Sequence, residues 1–314
     1  EMFAIPGKMV ELLLETQTYQ SEKEIWLDEK RVAEELVWLC SLENGNKPDS
    51  EQFLRALRLV YYAGYLLKNP NEQSNRRQEK LLDGLHEICN SFTPTTTLQR
   101  VLLLCEIPLL MLGLQTETSR YLVDAQIIIE RMTSIVIDDF DGEGMLVSSE
   151  LGDFAEVLAS FARIIQIHSM LAVVPPLPET ILNHFQWSVR QLLLICMGDG
   201  RLFGGKENQV SVVFVELLLK LGGDPSDVRL AQHLGLLSEP VPEFTTKIAV
   251  KAKRPTSSFH SEWAQLAILR SGWGRNRREL ALSVIGTEIQ LALQAGGNRV
   301  LHGQIESALE VEGV

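Results

Sequence analysis

"AILRSGWGRNRRELALSVIG", residues 267–286, decides how this chain is divided. Leu280, Leu282 and Val284 alternate with Ala281, Ser283 and Ile285, the period-two pattern of an antiparallel strand with one or both faces covered. Glycines and arginines at 272–278 mark a hairpin turn before it. Similar short runs, "WAQLAILRS", "TEIQLALQAGG", "NRVLHG" and "IESALEVEGV", make residues 257–314 read as the beginning of an antiparallel β-sandwich that stops in mid-pattern at Val314. Five or six strands are too few to close a sandwich of normal size. A longer protein, or another element over the exposed edge, is expected.

Upstream of the hairpin, residues 238–256 carry Pro240, Pro242 and Pro255 with little periodicity, so they read as a linker, with an extended strand expected at 246–251. Before the linker the period changes. Apolar residues recur at three- and four-residue spacings over about 21–41, 50–68, 74–91, 96–114, 118–137, 149–173, 178–197, 208–222 and 225–237, which predicts nine or ten helices in succession. Ser50, Thr96, Ser149 and Asp224 stand where N-caps belong, and Pro225 follows Asp224 at the first helical position. Two turns look alike: "IDDFDGEGML" (137–146) and "CMGDGRLFGG" (196–205) each place Asp-Gly before a hydrophobic residue, with Asp141 and Asp199 nearly 60 residues apart. That spacing suits a repeated helical hairpin, so residues 1–237 are expected to form an incomplete α/α toroid.

Composition narrows the function. A chain of 314 residues with 45% hydrophobic content can bury a large core, and its net charge of −12 argues against a general nucleic-acid binder. The longest apolar run, 101–114, is interrupted by Glu106 and Pro108 and is too short to span a membrane. Cys40, Cys89, Cys105 and Cys196 lie in apolar helical runs without a C-x-x-C pair and are expected to be small core residues. The first residue is Glu1, which leaves compartment open: periplasmic or secreted if a leader has been removed, otherwise cytoplasmic.

Several motifs fail on their chemistry. "GRLFGGK" (200–206) has P-loop spacing, but Glu207 stands where Mg²⁺ needs a hydroxyl, and a helix precedes it. The acidic loop Asp138, Asp139, Asp141 and Glu143 lacks the alternation of a calcium loop, and no histidine has zinc-site spacing. No cofactor or metal is expected. On the helix "PETILNHFQWSVRQLL" the expected core stripe is Leu182, Phe185, Val189, Leu192 and Cys196, leaving Asn183, Trp187 and Arg190 on a polar, aromatic face beside His184. That face is either the solvated side of an amphipathic helix or the lining of a sugar groove, with an aromatic plane under a pyranose and Arg against a carboxylate. Between 247 and 278, eight cations (Lys247, Lys251, Lys253, Arg254, Arg270, Arg275, Arg277, Arg278) face one acid, Glu262. Such a run either attracts an anionic ligand or guards a sheet edge.

"HSEWAQLAILRSGWGRNRRELALSVIG" (260–286) resembles the first strands of the C-terminal sheet domain in heparinase II/III-like proteins, around the motif "LRSGWG". Those proteins place an incomplete α/α toroid before that domain. The resemblance implies a polysaccharide lyase performing β-elimination on an acidic, uronate-containing polymer: a base removes the proton beside the carboxylate, polar or cationic groups neutralise it, and an acid, often Tyr, protonates the leaving oxygen. Carried over, Asn183 would hold the carboxylate and His184 serve as base or neutraliser, with Arg201 and Lys206 as charge partners and Trp187, Arg190, Arg254 and His260 also contacting the substrate. The chain departs from the family pattern. "SSELGDF" (148–154) stands where an Asn-Asn-His is expected, "KENQVSVVF" stands where a Tyr is expected, all five tyrosines precede residue 122, and no His-x-His follows in the sheet. These departures keep a second reading open, a toroid protein that binds glycan or protein without catalysis.

Overall fold

The computed structural model describes residues 93–114, 121–171, 175–204, 209–237, 256–273, 276–286 and 288–306, with scattered helical positions between 82 and 89. The expected helices over 21–41 and 50–68, the cap Ser50, and the strand at 246–251 lie outside them. The described part is mixed: helices first, then one antiparallel sheet. Helix α1 (Thr97–Val101) passes through a π-helical turn (Leu102–Glu106) into α2 (Ile107–Leu114). Then come α3 (Tyr121–Asp139), a 3₁₀ turn (Ser148–Asp153), α4 (Phe154–Met170), α5 (Glu179–Ile195), α6 (Val212–Gly222) and α7 (Pro225–Leu234). Among the described residues no helix is long and apolar enough to cross a membrane. Chain contacts group the protein into two compact units, 1–138 with 156–182, and 139–155 with 183–314.

In the first unit, Thr96 caps α1 by accepting the N–H of Gln99 at 3.3 Å. The π turn has a local cause. Pro108 has no N–H for the carbonyl four residues back, and the preceding backbone widens so that Ile107 N–H reaches Leu102 O. Within that turn Glu106 is fully buried, held by Arg163 Nε at 2.5 Å, Arg163 Nη2 at 3.1 Å and the Ser160 hydroxyl. A buried charge persists only when paired in this way.

In the second unit the two similar turns have the same backbone. Phe140 bridges Leu146, and Cys196 bridges Leu202. Asp141 N–H bonds Met145 O at 3.0 Å and Gly144 N–H bonds Asp141 O at 3.1 Å; Met197 N–H bonds Arg201 O at 2.8 Å and Gly200 N–H bonds Met197 O at 2.9 Å. The geometric repeat is therefore fifty-six residues, aligning Gly142-Glu143-Gly144 with Gly198-Asp199-Gly200, and Asp141 corresponds to Met197 rather than to Asp199. The last glycine of each triplet has positive φ, +82° and +79°, which sets the spacing. Ser149 is not a cap; it lies inside the 3₁₀ turn that precedes α4. Asp224 does cap α7, in a reciprocal capping box with Asp227 and with Pro225 at the first position. On α5 the buried stripe begins at Ile181, while Leu182 is 41% exposed; Ser188, also buried, gives its hydroxyl to Gly144 O at 2.7 Å.

The sheet runs in order β1 (Ser258–Ser261), β2 (Leu266–Arg270), β3 (Arg278–Ile285), β4 (Glu288–Ala295), β5 (Asn298–Glu306), each strand antiparallel to the next. "WAQ" forms the β1–β2 turn rather than strand, and β5 carries "NRVLHG" and the first residues of the run after it. Register puts Ile268, Ala281 and Ala292 abreast on the buried face, with Arg270, Glu279 and Gln294 abreast beside them. On the other face lie Leu269, Leu280, Leu282, Val284, Leu291 and Leu293, half-buried or exposed. The covered face is the small and polar one, and the leucines point outward.

Candidate functional site at the second turn and the sheet

Glu279, 1% exposed, is the centre of the contact between the sheet and the second turn. Its Oε1 accepts from Arg270 Nε and Arg277 Nε, each at 2.8 Å, and its Oε2 accepts the backbone N–H of Gly198 at 2.6 Å. A Cβ at 198 would lie 2.9 Å from Glu279 Oε2 and 3.0 Å from Arg277 Nη2, so a larger residue there would have to displace these side-chain ends. Arg270 Nη2 donates to Leu194 O at 2.6 Å and Cys196 O at 3.0 Å, carbonyls at the C-terminal end of α5, where a cation meets the negative end of the helix dipole. Its guanidinium also sits 5.0 Å from the Trp273 ring centroid. Burial pulls the Arg270 pKa down while Glu279 opposes the shift. Burial pushes the Cys196 thiol up to about 12, so this cysteine is no nucleophile.

The arginine of "LRSGWG" thus fastens the hairpin to the end of α5, and its tryptophan packs against that arginine. Part of the basic run is accounted for: Arg270 and Arg277 are buried and share Glu279, one residue past the stretch in which Glu262 was the single acid. Arg278 is exposed, while Lys247, Lys251, Lys253, Arg254 and Arg275 lie outside the described residues.

Beside this contact lies a more open charge group. Arg201 Nε is 3.9 Å and Arg299 Nε 3.8 Å from Asp199 Oδ2, and the two arginine side chains are 35% and 27% exposed. Asp199 is held in place through Oδ1, which accepts Arg201 N–H at 3.1 Å, and its carbonyl accepts Gln209 Nε2 at 2.8 Å. Two guanidiniums thus gather at one carboxylate in a partly exposed place, and guanidinium is the group that meets a carboxylate or sulfate in fork geometry. Lys206, also a candidate, lies outside the described residues. Sequence reading did not single out Arg299; the hairpin "GGNRV" was its only signal.

The other candidates are spread along α5 and β1. Asn183 is exposed, and the His184 ring lies 5.0 Å from that of Trp187 at a 59° tilt. Arg190 is engaged by Asp227 (Nε to Oδ1, 2.8 Å), Asp224 and Ser226, so its charge serves the α7 cap; the Asp227 hydrogen bond raises its pKa, with burial opposing. Burial raises the Asp227 pKa. Asp224 ends below its ordinary value, because Ser226, the Asp227 N–H and Arg190 outweigh its own burial. From His184 to the end of α5 the chain rises about 16 Å, so Asn183 and His184 do not share one sugar ring with Arg201. His260 is exposed on β1, on the opposite face from Ser261, whose hydroxyl is 3.2 Å from Asp141 Oδ2. Among the described residues no group of three His, Cys, Asp or Glu is placed to hold a metal. No protein family, curated protein or solved structure matches the chain.

Proposed function

We propose that this chain binds an acidic, uronate-containing polysaccharide, as a divergent heparinase II/III-like protein whose hairpins continue into an incomplete α/α toroid. The observation that carries the reading is the pair of partly exposed guanidiniums, Arg201 and Arg299, 3.9 and 3.8 Å from Asp199 Oδ2 where the repeated turn meets the sheet. The fifty-six-residue repeat of the turns supports the toroid, since equal hairpins stack with a constant rotation. The outward leucines of β3 and β4 support the sandwich, because such a face suits packing against a second apolar layer. Binding is favoured over turnover: Arg190 is committed to a helix cap, and His184 stands about 16 Å along α5 from the end that leads to Arg201. The elimination reading rests on Asn183, His184 and Trp187, a polar and aromatic group at the start of α5.

The test is titration of heparin and of alginate into the full chain, with product absorbance followed in parallel. Saturable, salt-sensitive binding without unsaturated product supports the binding reading, unsaturated product supports elimination, and no binding of either polymer overturns both.

A further inference from the structure

The first unit contains a cavity of about 300 Å³ in which none of the glycan candidates takes part. One wall is the stripe Asp124, Ile127, Ile128 and Arg131 of α3, at the three- and four-residue spacings of a single helix face. Such a stripe normally closes against a neighbouring helix, but Ile127 remains 39% exposed. The facing wall holds Leu104, Pro108 and Met111, where the π turn widens the backbone and where Pro108 has no N–H to offer the carbonyl of Leu104. Single π turns inside α-helices occur frequently at functional sites. Leu103, Leu112, His86 and Cys89 complete the lining. Burial pushes the Cys89 thiol up to about 12, so it contributes as a neutral, apolar group.

Charge sets the orientation of an occupant. Arg131 has no carboxylate partner among the described residues, while Asp124 stands seven residues away, about 10 Å along α3. The two isoleucines lie between them. We propose that the cavity binds a small amphipathic carboxylate, its apolar chain along Ile127 and Ile128 and its anionic head at Arg131. Asp124 repels an anion at the other end, which fixes one direction of binding. The volume equals that of about ten waters at ~30 Å³ each, matching a chain of about eight carbons with its head group. None of the lining residues is a glycan candidate, so this site is independent of the glycan reading.

Octanoate and octan-1-ol titrated calorimetrically into the full chain provide the test. Octanoate is expected to bind once per chain, about tenfold more tightly than octan-1-ol, because a charge-assisted hydrogen bond to Arg131 is available only to the carboxylate. Arg131→Ala should remove that preference and leave octan-1-ol unchanged, and Ile127→Trp should abolish both by filling the space. Both side chains are exposed, so circular dichroism of either variant should match that of the parent. No binding of octanoate, an equal response to both probes, or binding that survives Ile127→Trp overturns the proposal, the last because the ligand then sits elsewhere, as on the leucine face of the sheet.

Discussion

Glu279→Gln is the most informative perturbation of the contact between turn and sheet. The side chains of Arg270 and Glu279 are 0% and 1% exposed, so solvent screening does not reduce the pair's value. Removing one charge from a buried pair costs about 3–5 kcal/mol. Here the loss is compounded, because two guanidiniums depend on one carboxylate and the Gly198 N–H loses its anionic acceptor, worth about another 1 kcal/mol. A total near 5 kcal/mol follows. Arg270→Met is milder, at about 3 kcal/mol, since Glu279 keeps Arg277 and Gly198 while two carbonyls of α5 lose a donor. Urea unfolding followed by circular dichroism reads both variants. With an m value near 3 kcal/mol/M, Glu279→Gln should lower the midpoint by about 1.6 M and Arg270→Met by about 1 M. A Glu279→Gln midpoint within about 0.3 M of the parent would refute the reasoning, as would the reverse order of the two variants.

Further outcomes follow from the same geometry. Gly144→Ala combines positive φ with a Cβ 2.6 Å from Ser188 N and should cost about 3 kcal/mol or more, whereas Gly142→Ala, with open space around it, should change thermal stability by less than about 0.5 kcal/mol. Arg190→Ala leaves the Asp227 carboxylate, 1% exposed, without its guanidinium; it should destabilise the fold by about 2–3 kcal/mol in denaturant melts while leaving heparin affinity unaltered. His168, whose ring nitrogen lies 2.7 Å from Pro175 O, is held below its ordinary 6.5 by burial, with that carbonyl opposing. The unfolded chain therefore takes up this proton first, so the stabilisation is fully present above pH 6.5 and is lost as pH falls through the depressed folded value. His168→Gln should flatten that acid-side slope in melts taken from pH 7.5 to 5.

Local chemistry was the legible part of the fold. Thr96 and Asp224 were readable as caps because a side-chain oxygen three residues before its donor is a short-range feature. The hairpin at 271–278 was readable from its glycines and flanking alternation. Less followed from the resemblance of the two turns. Matching Asp-Gly pairs Asp141 with Asp199, but the backbone aligns the glycines with positive φ, and dihedral angle is not written in residue type outside glycine. Alternation in β3 announced two faces without saying which was inward. The Arg270–Glu279 pair lets a polar face be buried, so the usual assignment of leucines to the covered side fails. The basic run misled for a related reason. Charges counted along the chain ended at 278, and the acid that answers two of them is residue 279. On α5, Ile181 and Leu182 differ by only one helical step, too little for periodicity to separate.

The claim on which the functional account rests is that Arg201 and Arg299 form the anion-binding group. Heparin titrated into Arg201→Ala/Arg299→Ala, at two salt concentrations, addresses it directly. The account predicts at least tenfold weaker binding than the parent and a shallower dependence of log affinity on log salt, by about two fewer released counterions. Parent-like affinity with an unchanged salt slope, in a variant whose melting curve matches the parent, would contradict it.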